Sequence, residues 1–253
     1  MFHILQDVND LNRQTWIANS IRKLPAGARL LDAGAGELRN RVHCEGIDYV
    51  SQDFSVYRGG EHEGISGRSW DAGQVDLVSD IASIPAPDAS FDAVLCSEVL
   101  EHVPEPTRAL AEFSRLLKPG GSLILTAPFS SNVHMAPYHF ATGFSRYWYE
   151  HHLPALGFQI LELSPNGDWF SLLRQELSRL GGLERQRGSW MWPLAYVYAA
   201  LGLLYFRLRP RHSAPDIACF GWHCLAVKEQ RHGASNLQIA TSGYAARGNT
   251  QDR

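Results

Sequence analysis

The chain has only four cysteines in 253 residues, Cys44, Cys96, Cys219 and Cys224, and no pair has the CxxC spacing of a metal site. Cys96 and Cys224 fall inside apolar runs that read as buried strands, so reduced structural thiols are expected, as in a cytosol. Basic residues are not in excess: 23 Lys and Arg face 26 Asp and Glu, a formal net charge of −3, which gives nucleic acid no field to respond to. A small-molecule or lipid-linked partner is expected instead. The opening stretch "MFHILQDVNDLNRQ" lacks a basic segment followed by an apolar one, so no secretory signal and a cytoplasmic location are expected. No internal repeat is visible.

What the chain does have is 45% hydrophobic residues, enough for the core of one α/β domain with additions. The spacing of Val8, Leu11, Ile17, Ile21 and Leu24, closed by Pro25-Ala26-Gly27, predicts a helix within residues 1–28. Short strands are expected in "ARLLDAG", in "EGIDYVSQDFS" ending near Asp53, in "VDLVSDIASIP", and in "SFDAVLCSEVLEHV" at Ala93 to Cys96. The period of Leu110, Phe113, Leu116 and Leu117 predicts a helix that Pro106 starts and "KPGG" stops. "SLILTAPF" and "FQILELSPNG" read as strands five and six, with a helix over Ser145 to Leu156 between them, and "CFGWHCLAVKEQ" as the last strand. Strands alternating with helices imply a parallel, doubly wound sheet. The domain is expected over 29–167 and 216–230, with a disordered polar tail over 231–253.

Residues 168–215 form an insertion of unusual composition. Its centre, "GSWMWPLAYVYAALGLLYF", runs for 19 residues without a charge, close to a bilayer-spanning length. A single crossing would leave the last strand on the wrong side of the bilayer from its sheet. The readings kept are a helix packed on the domain, a lid over an apolar acceptor, and an interfacial hairpin touching the inner face of a membrane through 190–208.

In a doubly wound sheet the ligand crevice lies beyond the carboxyl ends of the strands, beside the first strand. "LLDAGAGELRN" puts Gly34 and Gly36 there, where the backbone can turn with positive φ and a ligand can approach closely. A dinucleotide would need GxGxxG and no acid nearby. Arg39 replaces the third glycine, and Asp32 and Glu37 would repel a pyrophosphate, so a dinucleotide-dependent oxidoreductase is the weaker alternative. S-adenosylmethionine has no phosphate and carries a sulfonium and an ammonium, which suit those acids better.

At this point the chain resembles the class I S-adenosylmethionine-dependent methyltransferases, in the branch often called methyltransferase type 11. The resemblance covers about Arg29 to Phe158 and the final strand, and rests on five stretches in order: "LLDAGAGE", "YVSQDFS", "SDIASIP", "FDAVLCSEVLEHV" and "LLKPGGSLILTAPF". It implies a Rossmann-like seven-stranded sheet of order 3-2-1-4-5-7-6 with the last strand antiparallel. It also implies site roles. Asp32, Gly34 and Gly36 would hold the methionine end; Asp53 would meet the ribose hydroxyls with Phe54 by the adenine; Asp80 and Ile81 would bind the adenine edge and face; Ser97 and Glu98 would close the pocket below the sulfonium. The family's usual third glycine is Leu38 here.

The activity implied is methyl transfer from S-adenosylmethionine to a small or lipid-linked acceptor, with oxygen as the atom that family breadth favours. A neutral imidazole could take the acceptor's proton, and His134 and His139, in the segment after strand five, are the candidates. Tyr138, Arg146 and Tyr147 are candidate substrate contacts. Glu98, Glu101 and His102, at i, i+3 and i+4, would share one helical face and could in principle hold a cation, but packing is the favoured reading and no metal is expected. A non-catalytic, membrane-associated module that keeps the cofactor is the remaining alternative.

Overall fold

The structure, a computed structural model, describes residues 4–57, 74–209 and 213–230. The predicted tail over 231–253, and most of the Gly-rich stretch after Tyr57, lie outside the described residues. One seven-stranded sheet organises the rest: β1 (Arg29–Ala33), β2 (Asp48–Asp53), β3 (Leu77–Val78), β4 (Phe91–Ser97), β5 (Leu117–Pro128), β6 (Phe158–Asn166) and β7 (Gly221–Lys228). The order is β3-β2-β1-β4-β5-β7-β6. β1 through β5 pair in parallel, while β7 runs antiparallel between β5 and β6. Order and direction match the expectation.

The two faces are covered by different means. On one, α2 (Pro106–Leu116) buries Leu110, Phe113 and Leu116, and α3 (Arg146–Ala155) buries Tyr149 and Leu153, against Leu31, Val94, Leu123 and Leu125 of the strands. Each such side chain contributes roughly 1.5–3 kcal/mol through burial. On the other, the N-terminal helix α1 (Ile4–Ile21) sets Ile17 and Ile21 on Leu30, Ala93, Leu95 and Ile124. α1 is therefore part of the domain's second layer.

Strict strand–helix alternation fails at the start. After β1 the chain makes only a 3-10 turn, Arg39–His43, preceded by Leu38 in the left-handed conformation at φ 58°. A non-glycine residue there breaks the helical ladder before a full helix can grow. α2 ends at Leu116, just before "KPGG" as expected, but β5 begins at once with Leu117 and runs through those residues, with a register shift between Phe91 and Ala93 on its partner.

The insertion folds as two helices, α4 (Trp169–Gln186) and α5 (Trp192–Leu208). Asp168 caps α4 by accepting from the Ser171 amide at 2.8 Å. The helices lie close because Gly181 of α4 has no side chain: a Cβ there would stand 2.6 Å from the Tyr196 ring. Among the described residues no helix is long and apolar enough to cross a membrane.

Candidate functional site

Two cavities meet at the carboxyl ends of β1 and β4. The first, about 500 Å³, is polar and lined by Arg13, Gly34, Gly36, Ser97, Glu98, Glu101, His102 and His134, among others. The second, about 550 Å³, is largely apolar: Phe54, Ile81, Val99, Val103 and Tyr138 form its walls, and Gln52, Asp53 and Asp80 stand at its edge. Gly34, Glu98, His102 and Met135 belong to both. The glycine turn is thus the partition between an apolar chamber and a polar one.

The turn is braced from β2. Gly34 and Ala35 amides both donate to the Gln52 carbonyl at 2.8 Å, and the Gly36 amide donates to Asp53 Oδ2 at 3.0 Å. Asp53 Oδ1 accepts from the Ser55 amide at 2.7 Å. Both Asp53 oxygens therefore hold the loop in shape, and the residue lines the apolar chamber. The three loop amides have protein acceptors, and the cation on the polar cavity wall nearest the turn's partner Glu98 is Arg13, which also pairs with Asp10 at 2.7 Å.

Asp32 has a different place from the one expected. Its carboxylate is buried, accepts from Tyr49 Oη at 2.7 Å and from Asn40 Nδ2 at 3.2 Å, and lines neither cavity. Burial raises its pKa to about 6, against the two hydrogen bonds that favour the ionised form. Asp32 underpins the turn from beneath.

Glu98 sits at φ 55° just past β4, with Oε1 accepting from Thr126 Oγ1 at 3.1 Å and Oε2 3.1 Å from the Arg13 guanidinium. Thr126 Oγ1 also lies 2.9 Å from Ser97 Oγ. Beyond it, Leu100–His102 form one 3-10 turn, so Glu98, Glu101 and His102 do not share a helical face. Glu101 is buried with Oε2 unpartnered, and burial pushes its carboxyl well above the usual carboxylate range.

Phe54 meets Tyr138 edge to face at 5.2 Å, closing the apolar chamber. Asp80 Oδ1 accepts from the Ala82 amide at 2.8 Å and keeps its place at the rim. His134 lines the polar cavity, and His139 lies beside it with both ring nitrogens buried and unpartnered. Arg146 and Tyr147 are not brought in: Arg146 pairs with Glu150 at 2.6 Å on the outer face of α3, and Tyr147 is 72% exposed. They have no part in the site proposed below.

Sequence reasoning missed the cavity walls supplied from outside the core of the domain. Asn9, Arg13 and Gln14 come from α1, Gln175 and Arg179 from α4, and Phe220 from the approach to β7. The polar ones carry no signal beyond polarity on amphipathic helices, which solvent exposure explains equally well, and Phe220 carries none. α4 is also tied to the segment after β5, with Asn132 donating to Glu176 at 3.0 Å.

A glycine turn at the switch point of a doubly wound sheet, an acid at the tip of β2 and an apolar chamber beside it define a nucleoside-binding α/β protein. A family model described as a methyltransferase domain matches residues 31–125. A ubiquinone biosynthesis O-methyltransferase of Pseudomonas aeruginosa strain UCBPP-PA14 is 31% identical over 196 residues, 74% of each chain. One of Xanthomonas axonopodis pv. citri is 42% identical over 114 residues, where the match spans 42% of this chain and 46%, less than half, of the relative. Among solved structures, phosphoethanolamine N-methyltransferase 2 of Haemonchus contortus with bound S-adenosyl-L-methionine aligns at a TM-score of 0.52 and 18% identity, covering 87% of this chain and 53% of that one. The cyclase SpnF aligns at 0.51 and 20% identity over 84% and 79%. The protein belongs to the class I S-adenosylmethionine-dependent methyltransferases.

Proposed function

We propose that the protein transfers the methyl group of S-adenosylmethionine to an oxygen of a small, lipid-linked acceptor. The observation that carries this reading is the pair of chambers joined at Gly34 and Glu98: the apolar one suits a purine, the polar one an amino acid end bearing charges of both signs. Phe54, Ile81 and Val99 would flank the adenine, Asp80 its edge, and Asp53 the ribose hydroxyls. Glu98 would meet the ammonium and Arg13 the carboxylate, with Ser97 beneath the sulfonium.

The bound cofactor supplies a methyl carbon already activated by positive sulfur. What remains for the chain is alignment, exclusion of water and removal of one proton. The new C–O bond forms as the C–S bond breaks and its electron pair stays on sulfur; the acceptor's proton passes to an imidazole. His134 stands on the wall of the polar cavity where that proton is released, and His139, held below the ordinary imidazole pKa by burial, stands beside it.

Calorimetric titration with S-adenosylhomocysteine is expected to give one site per chain, and NADH fluorescence no binding. Absence of heat and of a thermal shift at millimolar S-adenosylhomocysteine would overturn the cofactor assignment. SpnF shows why turnover must be read separately: a chain of this fold is named a cyclase. Binding without methyl transfer to any oxygen acceptor would leave the non-catalytic reading.

The lipid-linked acceptor is supported by α5. Leu194, Val197, Tyr198, Leu201, Tyr205 and Leu208 all stand exposed along it, and Trp190 just before it is 85% exposed. Arg185 stacks on Trp192 and Arg209 on Phe170, placing cations near both ends. An exposed apolar helix with cations near both ends would suit contact with a lipid surface. Anionic vesicles should co-float the protein, and Leu201→Asp should weaken that binding at least about tenfold, some 1.4 kcal/mol, without altering S-adenosylhomocysteine affinity. Equal flotation of the two proteins would exclude α5 as the contact.

A further inference from the structure

Three imidazoles meet where the segment after β5 crosses the turn after β4. Ring centroids of His102 and His134 are 4.6 Å apart, those of His134 and His139 5.1 Å, and those of His102 and His139 6.0 Å. One nitrogen from each lies within 4.8 Å of the other two. Neither Glu98 nor Glu101 belongs to this set. The segments are fixed to one another, because the Phe140 and Ala141 amides both donate to the Glu101 carbonyl, at 2.9 and 3.1 Å.

The second nitrogens decide what the cluster can do. His102 Nδ1 lies 2.5 Å from the Tyr138 carbonyl and His134 Nδ1 2.9 Å from the Asn132 carbonyl. A carbonyl only accepts, so each Nδ1 carries the proton and each Nε2 presents a lone pair, that of His102 lying 3.7 Å from Glu101 Oε1. Metal-binding histidines show this arrangement, the outer nitrogen donating to a backbone oxygen so that tautomer and ring plane are set. His139 has both nitrogens buried and neither partnered, a desolvation cost that one bond to an ion would offset.

The structure assigns to His102, His134 and His139 a site for one divalent transition ion of the zinc class, its fourth position open to the polar cavity. Three neutral nitrogens exclude magnesium and calcium, which take oxygen, and suit zinc, which takes three imidazoles and leaves one position for water or substrate oxygen. Tetrahedral zinc at 2.0–2.1 Å sets its nitrogens roughly 3.3 Å apart, so small side-chain rotations close the set. His102 and His134 line the cavity into which an acceptor oxygen would enter. Ligation would occupy the imidazoles assigned above to proton removal; a zinc ion holding the acceptor oxygen would instead lower that oxygen's pKa so that its proton leaves to water, and the inference rests on the polar cavity being where the acceptor enters.

Untagged protein stripped with a chelator is expected to take up one zinc per chain by calorimetry and metal analysis. Cobalt in its place should give the intense visible bands of a four-coordinate ion. His134→Asn and His139→Asn should each weaken zinc at least about 100-fold while metal-free melting stays that of the parent, and Glu101→Gln should keep the zinc. No uptake, or full affinity in His139→Asn, would overturn the site. Zinc lost with S-adenosylhomocysteine retained, or the reverse, separates failure of this assignment from failure of the cofactor assignment.

Discussion

Replacing Gly34 by alanine is expected to weaken S-adenosylhomocysteine binding by at least two decades, about 2.8 kcal/mol. Gly34 sits at φ +77°, where an L side chain is strained by roughly 1–2 kcal/mol. The larger effect is steric. The new Cβ would stand 2.5 and 2.7 Å from the two methyls of Val99 and 3.1 Å from its Cβ, a short branched side chain with no far end to swing away. Val99 must move as backbone, and it carries Glu98 on one side and the His102 turn on the other. Both chambers therefore lose their shared wall. Adding Val99→Ala in the same chain removes the obstructing methyls and should recover at least tenfold. Gly46, also at positive φ but with nothing within 4 Å of its Cβ position, is the control: Gly46→Ala should leave binding intact. Parental affinity in Gly34→Ala would show that the turn does not partition the site.

Exchanging Asp32 for asparagine is expected to stabilise the fold by about 2–3 kcal/mol at pH 7 to 8 and to weaken cofactor binding. Asp32 titrates at about 6 in the fold against an ordinary value of 3.8, and each tenfold change in proton affinity corresponds to about 1.4 kcal/mol. The sign follows from which state binds the proton more tightly. Here it is the folded state, so the contribution is fully present below pH 3.8, falls as pH rises toward 6, and is gone above it. Asparagine carries no such loss, and its amide can donate to Asn40 Oδ1, which is buried without a partner. Subtracting the two denaturation profiles, parent minus Asp32→Asn, should leave a decline confined to about pH 4 to 6. A flat difference would mean the carboxylate is not penalised by burial. A stabilised variant that binds as well as the parent would show that the buried charge beneath the turn does not serve the cofactor site.

The fold was legible because its strand signals are local. "LLDAGAGE", "FDAVLCS" and "SLILTAP" are apolar runs bounded by turn residues, and a strand buried on both faces leaves that trace wherever it sits in the sheet. The part of the site on strand ends was legible for the same reason: Gly34, Asp53, Asp80 and Glu98 are placed by the ends of β1, β2, β3 and β4. Leu38 shows the limit. Its left-handed conformation is one that leucine itself does not announce, and only the glycine usual at this place in the family hints at it.

Side chains brought from a distance were not legible. Arg13 reads as one polar position on a helix, and only the docking of α1 on Leu30 and Ile124 turns it toward Glu98. Arg146 and Tyr147 read as substrate contacts by proximity in sequence to Tyr138, yet the turn of α3 faces them outward. Helical spacing groups His102 with Glu98 and Glu101; the structure keeps all three on one cavity wall, through a single 3-10 turn, and adds His134 and His139 beside His102.

The sequence alone determined the seven strands, their class of winding and the glycine turn with its acids, since each depends on residues within a few positions of one another. The tertiary structure decided which polar groups share a cavity, because that depends on the angle at which separate helices and loops pack, and a one-residue rotation of a helix exchanges the side chain that enters the site for one that meets water.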